Sequence, residues 1–351
     1  MLFPKNEEMI FMMKKICALM MLLSLTVFAG GCGGESTQNN SASQGKNLVI
    51  YTSMKEALIG GIIEGFKKQN PGVNVDYQSA GAGKIMAKLD AERHSGQLLA
   101  DIIWTSEVPD FYEMKEQGML EKYQPSNFNE ILNPFDDYDG SFTAARLGTL
   151  GIVINTDKVK NAPTGWEEIA TSETYRNSFG IADPALSGTA FMSVALLEKQ
   201  FGWEYLERLR ANGAKKSKGS GRVVDDTATG ELTACLGVDY ITAAKIDKGS
   251  SLQMVYPKEL LMVPSPVAIF KDAPNKEIAK KFVDYLLTQE AQQMVANAGT
   301  VPVRRDIKMP EKYNLPSPEV AIDTGIKINY TEVMTRKEEL VKRFSELFKE
   351  D

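Results

Sequence analysis

The pattern that most constrains this chain is a repeated pairing of a short apolar run with an amphipathic stretch, each run closing on small polar residues. Leu48-Val49-Ile50-Tyr51-Thr52 has the β-branched and aromatic content of a buried strand, and Ser53-Met54-Lys55-Glu56 leads into a helix predicted to run to about Lys68. Asn70-Pro71-Gly72 makes a turn, 73–77 the next strand, and Ser79-Ala80-Gly81-Ala82-Gly83-Lys84 the entry to a second helix. Residues 100–104 read as a third strand, followed by Thr105-Ser106-Glu107 and a helix ending at Gly118-Met119-Leu120. The grammar returns with strands at 150–155, 179–183 and 235–240, the second of which leads into Ser187-Gly188-Thr189-Ala190 and a helix to about Gln200. Strands alternating with helices of this length predict an α/β fold built on parallel, doubly wound sheet. A second α/β set beyond about residue 145 predicts two lobes with a cleft between them.

The first residues read differently. Met13-Lys14-Lys15 precedes an almost wholly apolar run over 16–29, and Ala29-Gly30-Gly31-Cys32 follows. A positive start, a short apolar core and small residues read as a secretory signal, because the run is shorter than the roughly 20 residues of a membrane span. The small residues ending in cysteine resemble a bacterial lipobox. That resemblance implies a signal peptide over 1–31, diacylglycerol on Cys32, and a mature chain exported and anchored to the cell membrane. Ala29 stands where that motif more often has leucine. The acidic stretch 1–12 fits a signal badly, so the start is expected at Met12 or Met13. The Gly-, Ser-, Asn- and Gln-rich residues after Cys32 have no apolar periodicity, and 32–46 reads as a flexible tether.

Composition narrows the chemistry. At 351 residues the chain is long enough for two domains, and 43% hydrophobic with 25% charged residues is ordinary for a soluble globule. A formal charge of −6 argues against nucleic-acid partners, which require a basic face. Of the three cysteines only Cys235 lies in the body, within an apolar run, where it reads as a small buried hydrophobe. The single histidine, His94, sits in the polar helix end Glu92-Arg93-His94-Ser95. One histidine, no G-x-S-x-G elbow and no G-x-x-x-x-G-K-[ST] loop leave no catalytic constellation. No enzymatic activity and no cofactor are expected; a secreted hydrolase is the distant competitor.

In order along the chain, Val49-Ile50-Tyr51-Thr52-Ser53, Ala100-Asp101-Ile102-Ile103-Trp104, Gly118-Met119-Leu120, Leu150-Gly151-Ile152-Val153-Ile154-Asn155-Thr156, Asp183-Pro184, the segments 279–287 and 289–292, and Val301-Pro302-Val303-Arg304 resemble the extracellular solute-binding proteins of ABC importers. More narrowly they resemble the type II periplasmic-binding fold in its iron(III), phosphonate and sugar-phosphate branch. The resemblance covers about 47 to 307. It implies one lobe from 47–145 plus 263–351 and another from 146–262, joined by two crossover strands that act as a hinge and enclose a ligand cleft. It also implies permease and ATPase partners, a membrane attachment through the anchor, and a monomer; a subunit that feeds a sensor is the alternative partner reading.

In open α/β sheets ligands bind beyond the carboxyl ends of the strands, and here those ends carry Ser53, Ser79, Thr105, Ser187, Thr189 and Asp239. Ser187-Gly188-Thr189 opens a helix whose free N–H groups and dipole suit a phosphate, phosphonate or carboxylate, although Ser187 also reads as a simple N-cap. Ser79-Ala80-Gly81-Ala82-Gly83 offers a second cradle where glycine lets an anion approach the backbone, or a plain strand-to-helix turn. Arg222, in Lys218-Gly219-Ser220-Gly221-Arg222, is a candidate fork for an oxyanion or a solvated basic turn. Lys55 reads as a solvent-facing residue. Asp239 would repel a bare phosphate and is expected to read an amine or sugar hydroxyl on the same molecule, with Tyr240 and Trp104 against its carbon part, although Trp104 reads equally as ordinary core. Ferric relatives use adjacent tyrosines and often a histidine after the first strand. Tyr240 has no tyrosine neighbour and Ser53-Met54-Lys55 no histidine, so iron is the alternative cargo to an oxyanion-bearing solute.

Overall fold

The computed structural model describes residues 47–349. The leader, Cys32 and the tether lie outside that range. The described strands are β1 (Asn47–Thr52), β2 (Asn74–Ser79), β3 (Ile102–Trp104), β4 (Thr143–Asn155), β5 (Phe179–Ala182), β6 (Lys215–Ser217), β7 (Ala234–Val238), β8 (Leu252–Val255) and β9 (Leu261–Ile269). They form a 9-stranded sheet in the order β2-β1-β3-β9-β4-β7-β5-β6, with β8 pairing β4 off this path. The helices that bear on the site are α1 (Glu56–Gln69), α2 (Ala82–His94), α3 (Val108–Glu116), α4 (Gly188–Phe201), α5 (Ser220–Ala228), α6 (Asp239–Ile246) and α7 (Lys337–Leu347).

The predicted strand–helix alternation forms for the reasons the sequence suggested. In α1, Leu58, Ile59, Ile62, Ile63 and Phe66 recur at helical spacing and are all buried. Each such burial contributes about 1.5–3 kcal/mol. The helix ends where Asn70 N–H reaches the Phe66 and Lys67 carbonyls, and Gly72 follows at φ +83°.

The sheet is parallel on each side, β2-β1-β3 and β7-β5-β6, as expected. Its centre is not. β9 runs antiparallel to both β3 and β4, and β4 antiparallel to β7. The first part of β4 pairs β9 and its second part pairs β7, so one strand of 13 residues, all buried, links the two parallel sets. The sequence reading placed only 150–155 in this strand, because Arg146 interrupts the apolar run before it. It also left β9 unnamed, since Pro264 and Pro266 argue against a central strand. The register shift between Ala144 and Arg146 lies opposite Pro266, and Leu147 N–H donates to the Val301 carbonyl at 2.8 Å. The ladder is already irregular where the prolines lack N–H groups.

Two local expectations also change. The predicted strand 235–240 ends at Val238, and Asp239 opens α6 with its carboxylate accepting the Tyr240 N–H at 2.7 Å. The residues from 330 to 351, whose apolar spacing reads as one amphipathic helical stretch, form two described helices, Tyr330–Thr335 and α7, with Val333, Leu340, Phe344 and Phe348 buried. Cys235 is buried, which pushes its thiol up to about 12. His94 is exposed, and Trp104 lies wholly in the core. Among the described residues no helix is long and apolar enough to cross a membrane.

Candidate functional site

A cavity of about 500 Å³ lies beyond the carboxyl ends of both parallel strand sets. Ser53, Ser79, Gly81 and Ala82 line one side, after β1 and β2. Ser187, Gly188, Thr189 and Arg222 line the other, after β5 and β6, with Tyr240 beside them. Thr105 and Asp239 do not reach it. Thr105 is buried with its hydroxyl unpartnered, while the next residue, Ser106, lines the wall. Successive side chains on extended backbone point opposite ways, so the strand-end argument missed by one residue.

The N-termini of α4 and α5 converge on one part of the wall. Ser187 Oγ lies 2.8 Å from Ser220 Oγ and 3.1 Å from Thr189 Oγ1, and Thr189 Oγ1 lies 2.9 Å from Ser220 Oγ. Ser187 is also the N-cap of α4, accepting the Ala190 N–H at 3.4 Å. The cap and cavity readings of Ser187 therefore coexist. Ser220 was not singled out from the sequence, although it opens a helix in the same way as Ser187. Arg222 Nε lies 2.6 Å from Asp226 Oδ1, and its Nη2 3.6 Å from Glu231. Its fork is already engaged by carboxylates.

The glycines of the 79–84 run have a different reason from an anion's approach. A Cβ on Gly81 would collide with the Leu186 carbonyl oxygen, and one on Gly83 would lie 2.8 Å from that of Ala185. A Cβ on Gly188 would lie 2.6 Å from Glu107 Cβ. Gly81 and Gly83 let the loops after β2 and β5 touch, and Gly188 lets the start of α4 meet the loop after β3.

Beneath the cavity is a group that sequence reasoning passed over. Arg146 is fully buried at the β4 irregularity and lines the wall. Its Nη1 donates to Asp239 Oδ1 at 3.3 Å and to Thr300 Oγ1 at 2.7 Å, and its Nη2 to Ser106 Oγ at 3.1 Å. Its Nε has no partner. The guanidinium stacks 4.9 Å from the Tyr240 ring centroid. The available signal was one charge in an otherwise uncharged run from Phe142 to Asn155. Asp239, expected to read the solute, is instead the counter-charge of Arg146, and accepts further bonds from Thr149 N at 2.8 Å, Thr149 Oγ1 and Thr300 Oγ1. Tyr240 Oη accepts the Lys55 N–H at 3.4 Å, and burial raises its phenol, which stays neutral. Lys55, read as solvent-facing, joins Lys84 and Lys218 on the wall.

Behind Gly188, Glu107 and Asp110 of α3 share Lys337 of α7, whose Nζ lies 2.5 Å from Glu107 Oε1 and 2.6 Å from Asp110 Oδ1. Burial, then repulsion from Glu107, pushes Asp110 up to about 8. The folded chain thus holds a proton that the unfolded chain releases above about pH 4. Stability is expected to be fully present below pH 4 and to fall as pH rises towards 8, by at most about 1.4 kcal/mol per unit. In Asp110→Asn that decline should flatten when urea midpoints are compared at pH 5 and pH 8. An unchanged decline counts against a retained proton.

Antiparallel crossover strands between two parallel sets, with a cavity at their carboxyl ends, define a type II periplasmic-binding fold. Residues 98–322 match the bacterial extracellular solute-binding protein family, and the chain belongs to that family. Its role in that family is extracellular solute binding. A Salmonella typhimurium protein, named provisionally as a 2-aminoethylphosphonate-binding periplasmic protein, is 26% identical over 249 residues, 67% of this chain and 71% of its own. The periplasmic binding protein AfuA of Actinobacillus pleuropneumoniae, solved with fructose-6-phosphate, superposes with TM-score 0.76 at 24% identity, covering 87% of this chain and 100% of that one. The substrate-binding protein of an Agrobacterium tumefaciens ABC transporter superposes with TM-score 0.77 at 18% identity, covering 88% and 96%.

Proposed function

We propose that the solute carries a tetrahedral oxyanion, a phosphonate or sugar phosphate in class, and that the chain binds it without turning it over. The observation that carries this is the convergence of the Ser187, Thr189 and Ser220 hydroxyls at the starts of α4 and α5. Two helix N-termini and three rotatable O–H donors match the oxygens of a phosphoryl group, and the hydroxyls satisfy one another until an anion arrives. The names of the Salmonella relative and of the AfuA complex point to the same ligand class. Hydroxyls and cations suit an oxyanion better than Fe³⁺, which requires several anionic oxygen ligands.

On this reading 47–145 with 263–351 forms one lobe, 146–262 the other, and β4 with β9 is the hinge that closes them on the solute. Ser53, Ser79, Gly81, Ala82, Ser187, Gly188, Thr189, Arg222 and Tyr240 shape the site, with Ser106, Ser220 and Arg146 added and Thr105 and Asp239 behind it. The chain works as a monomer tethered through lipidated Cys32 beside its permease and ATPase. Thermal-shift measurements with inorganic phosphate, phosphonates, sugar phosphates and Fe³⁺ test the ligand class. A phosphorus oxyanion at 1,000 times its Kd should add about 4 kcal/mol of stability. Tight Fe³⁺ binding with a visible charge-transfer band, and no phosphorus response, would overturn the reading.

Closure makes its own prediction. Gly81→Ala drives a methyl against the Leu186 carbonyl and disfavours the closed form. A bias of about 1.4 kcal/mol is tenfold in affinity, so solute binding should weaken about tenfold or more. Urea stability without solute should change little. Equal affinity in the variant counts against closure at this contact.

A further inference from the structure

We infer that the solute is a two-ended anion, with a second acidic group in place of any amine. This rests on the oxyanion reading of the site and goes on to its other end. The cavity wall carries Lys55, Lys84, Arg146, Lys218 and Arg222, and among the described residues no aspartate or glutamate reaches it. The carboxylates paired with two of these cations lie off the wall: Asp239 on Arg146, and Asp226 and Glu231 on Arg222. Lys55, Lys84 and Lys218 have no carboxylate within 4.0 Å among the described residues. They stand on opposite sides, Lys55 and Lys84 at the starts of α1 and α2, Lys218 just before α5.

An ammonium entering this wall would exchange water for like charges. A cation can be compensated by an aromatic face instead, but Tyr240 is the aromatic residue on the wall and Arg146 already occupies its ring at 4.9 Å. A volume of about 500 Å³ also exceeds what one phosphoryl group fills. With the first acid at the Ser187–Thr189–Ser220 cluster on the side of Lys218, a second acid on the opposite side meets the uncompensated charge of Lys55 and Lys84. Arg146, whose Nε–H is unpartnered, also lines the wall.

The test is calorimetric titration of the full chain in detergent micelles with phosphonoacetate, 2-aminoethylphosphonate and inorganic phosphate, which share an oxyanion and differ at the far end. Phosphonoacetate should bind at least tenfold tighter than either of the others. Lys55→Gln combined with Lys84→Gln should cut that advantage below threefold, by weakening phosphonoacetate more than phosphate. If 2-aminoethylphosphonate binds as tightly as phosphonoacetate, or the double variant keeps the full advantage, the two-ended anion is overturned and the oxyanion reading stands. If none of the three binds, the two-ended anion is overturned, and the thermal-shift comparison of sugar phosphates with Fe³⁺ decides the oxyanion reading separately.

Discussion

Asp239→Ala is expected to lose about 3–5 kcal/mol of folding stability, because it leaves the Arg146 guanidinium buried without its counter-charge. The carboxylate also holds the Thr149 and Tyr240 N–H groups and the Thr300 hydroxyl, so several donors lose their acceptor at once. The residues it joins come from distant parts of the chain: Arg146 from β4, Asp239 from the start of α6, Thr300 after the helix Gln289–Asn297. A double variant, Arg146→Met with Asp239→Leu, removes both charges and should be the more stable of the two, since a buried pair replaced by apolar groups avoids the uncompensated charge. Urea unfolding of both variants checks this. A loss below 1 kcal/mol in Asp239→Ala, or a double variant worse than the single, would show that the pair is not a structural unit. The same change should loosen Tyr240, whose ring packs on Arg146, and so weaken solute binding beyond the stability loss alone.

The second large effect concerns affinity. Ser187→Ala with Ser220→Ala removes two of the three clustered hydroxyls and should weaken oxyanion binding at least 100-fold. Hydrogen bonds to a charged partner are worth about 1.5–3 kcal/mol each, so two amount to roughly 3–6 kcal/mol. The folded state should suffer far less. Ser187 is an N-cap, whose removal costs about 0.5–2 kcal/mol, and α4 is otherwise held by a long buried face. Urea unfolding and titration on the same preparation separate the two effects. Affinity within threefold of the parent, in a variant that keeps its unfolding midpoint, would remove the hydroxyl cluster from the site.

Much of this was legible in the chain. Strands 48–52 and 179–183 and the helices that follow them announced themselves through local periodicity, and local periodicity forms wherever it can bury one face. Ser187, Gly188 and Thr189 were found because a hydroxyl at a strand-to-helix junction is a local signal. What escaped was set by distant partners. Asp239 looked like a ligand group because a carboxylate at a strand end is conspicuous, and its partner is 93 positions away. Gly81 and Gly83 looked like a phosphate cradle, and their reason for being glycine is a pair of carbonyls on another loop.

By itself the sequence determined the α/β alternation, the two parallel sets and the small polar residues at the strand ends, since each follows from side-chain pattern within a dozen residues. The tertiary structure alone decided that β4 and β9 cross antiparallel between the sets and that Arg146 answers Asp239. It also decided that the wall of the cavity is cationic. Burial and charge pairing are properties of neighbours in space, and only the folded chain assigns them.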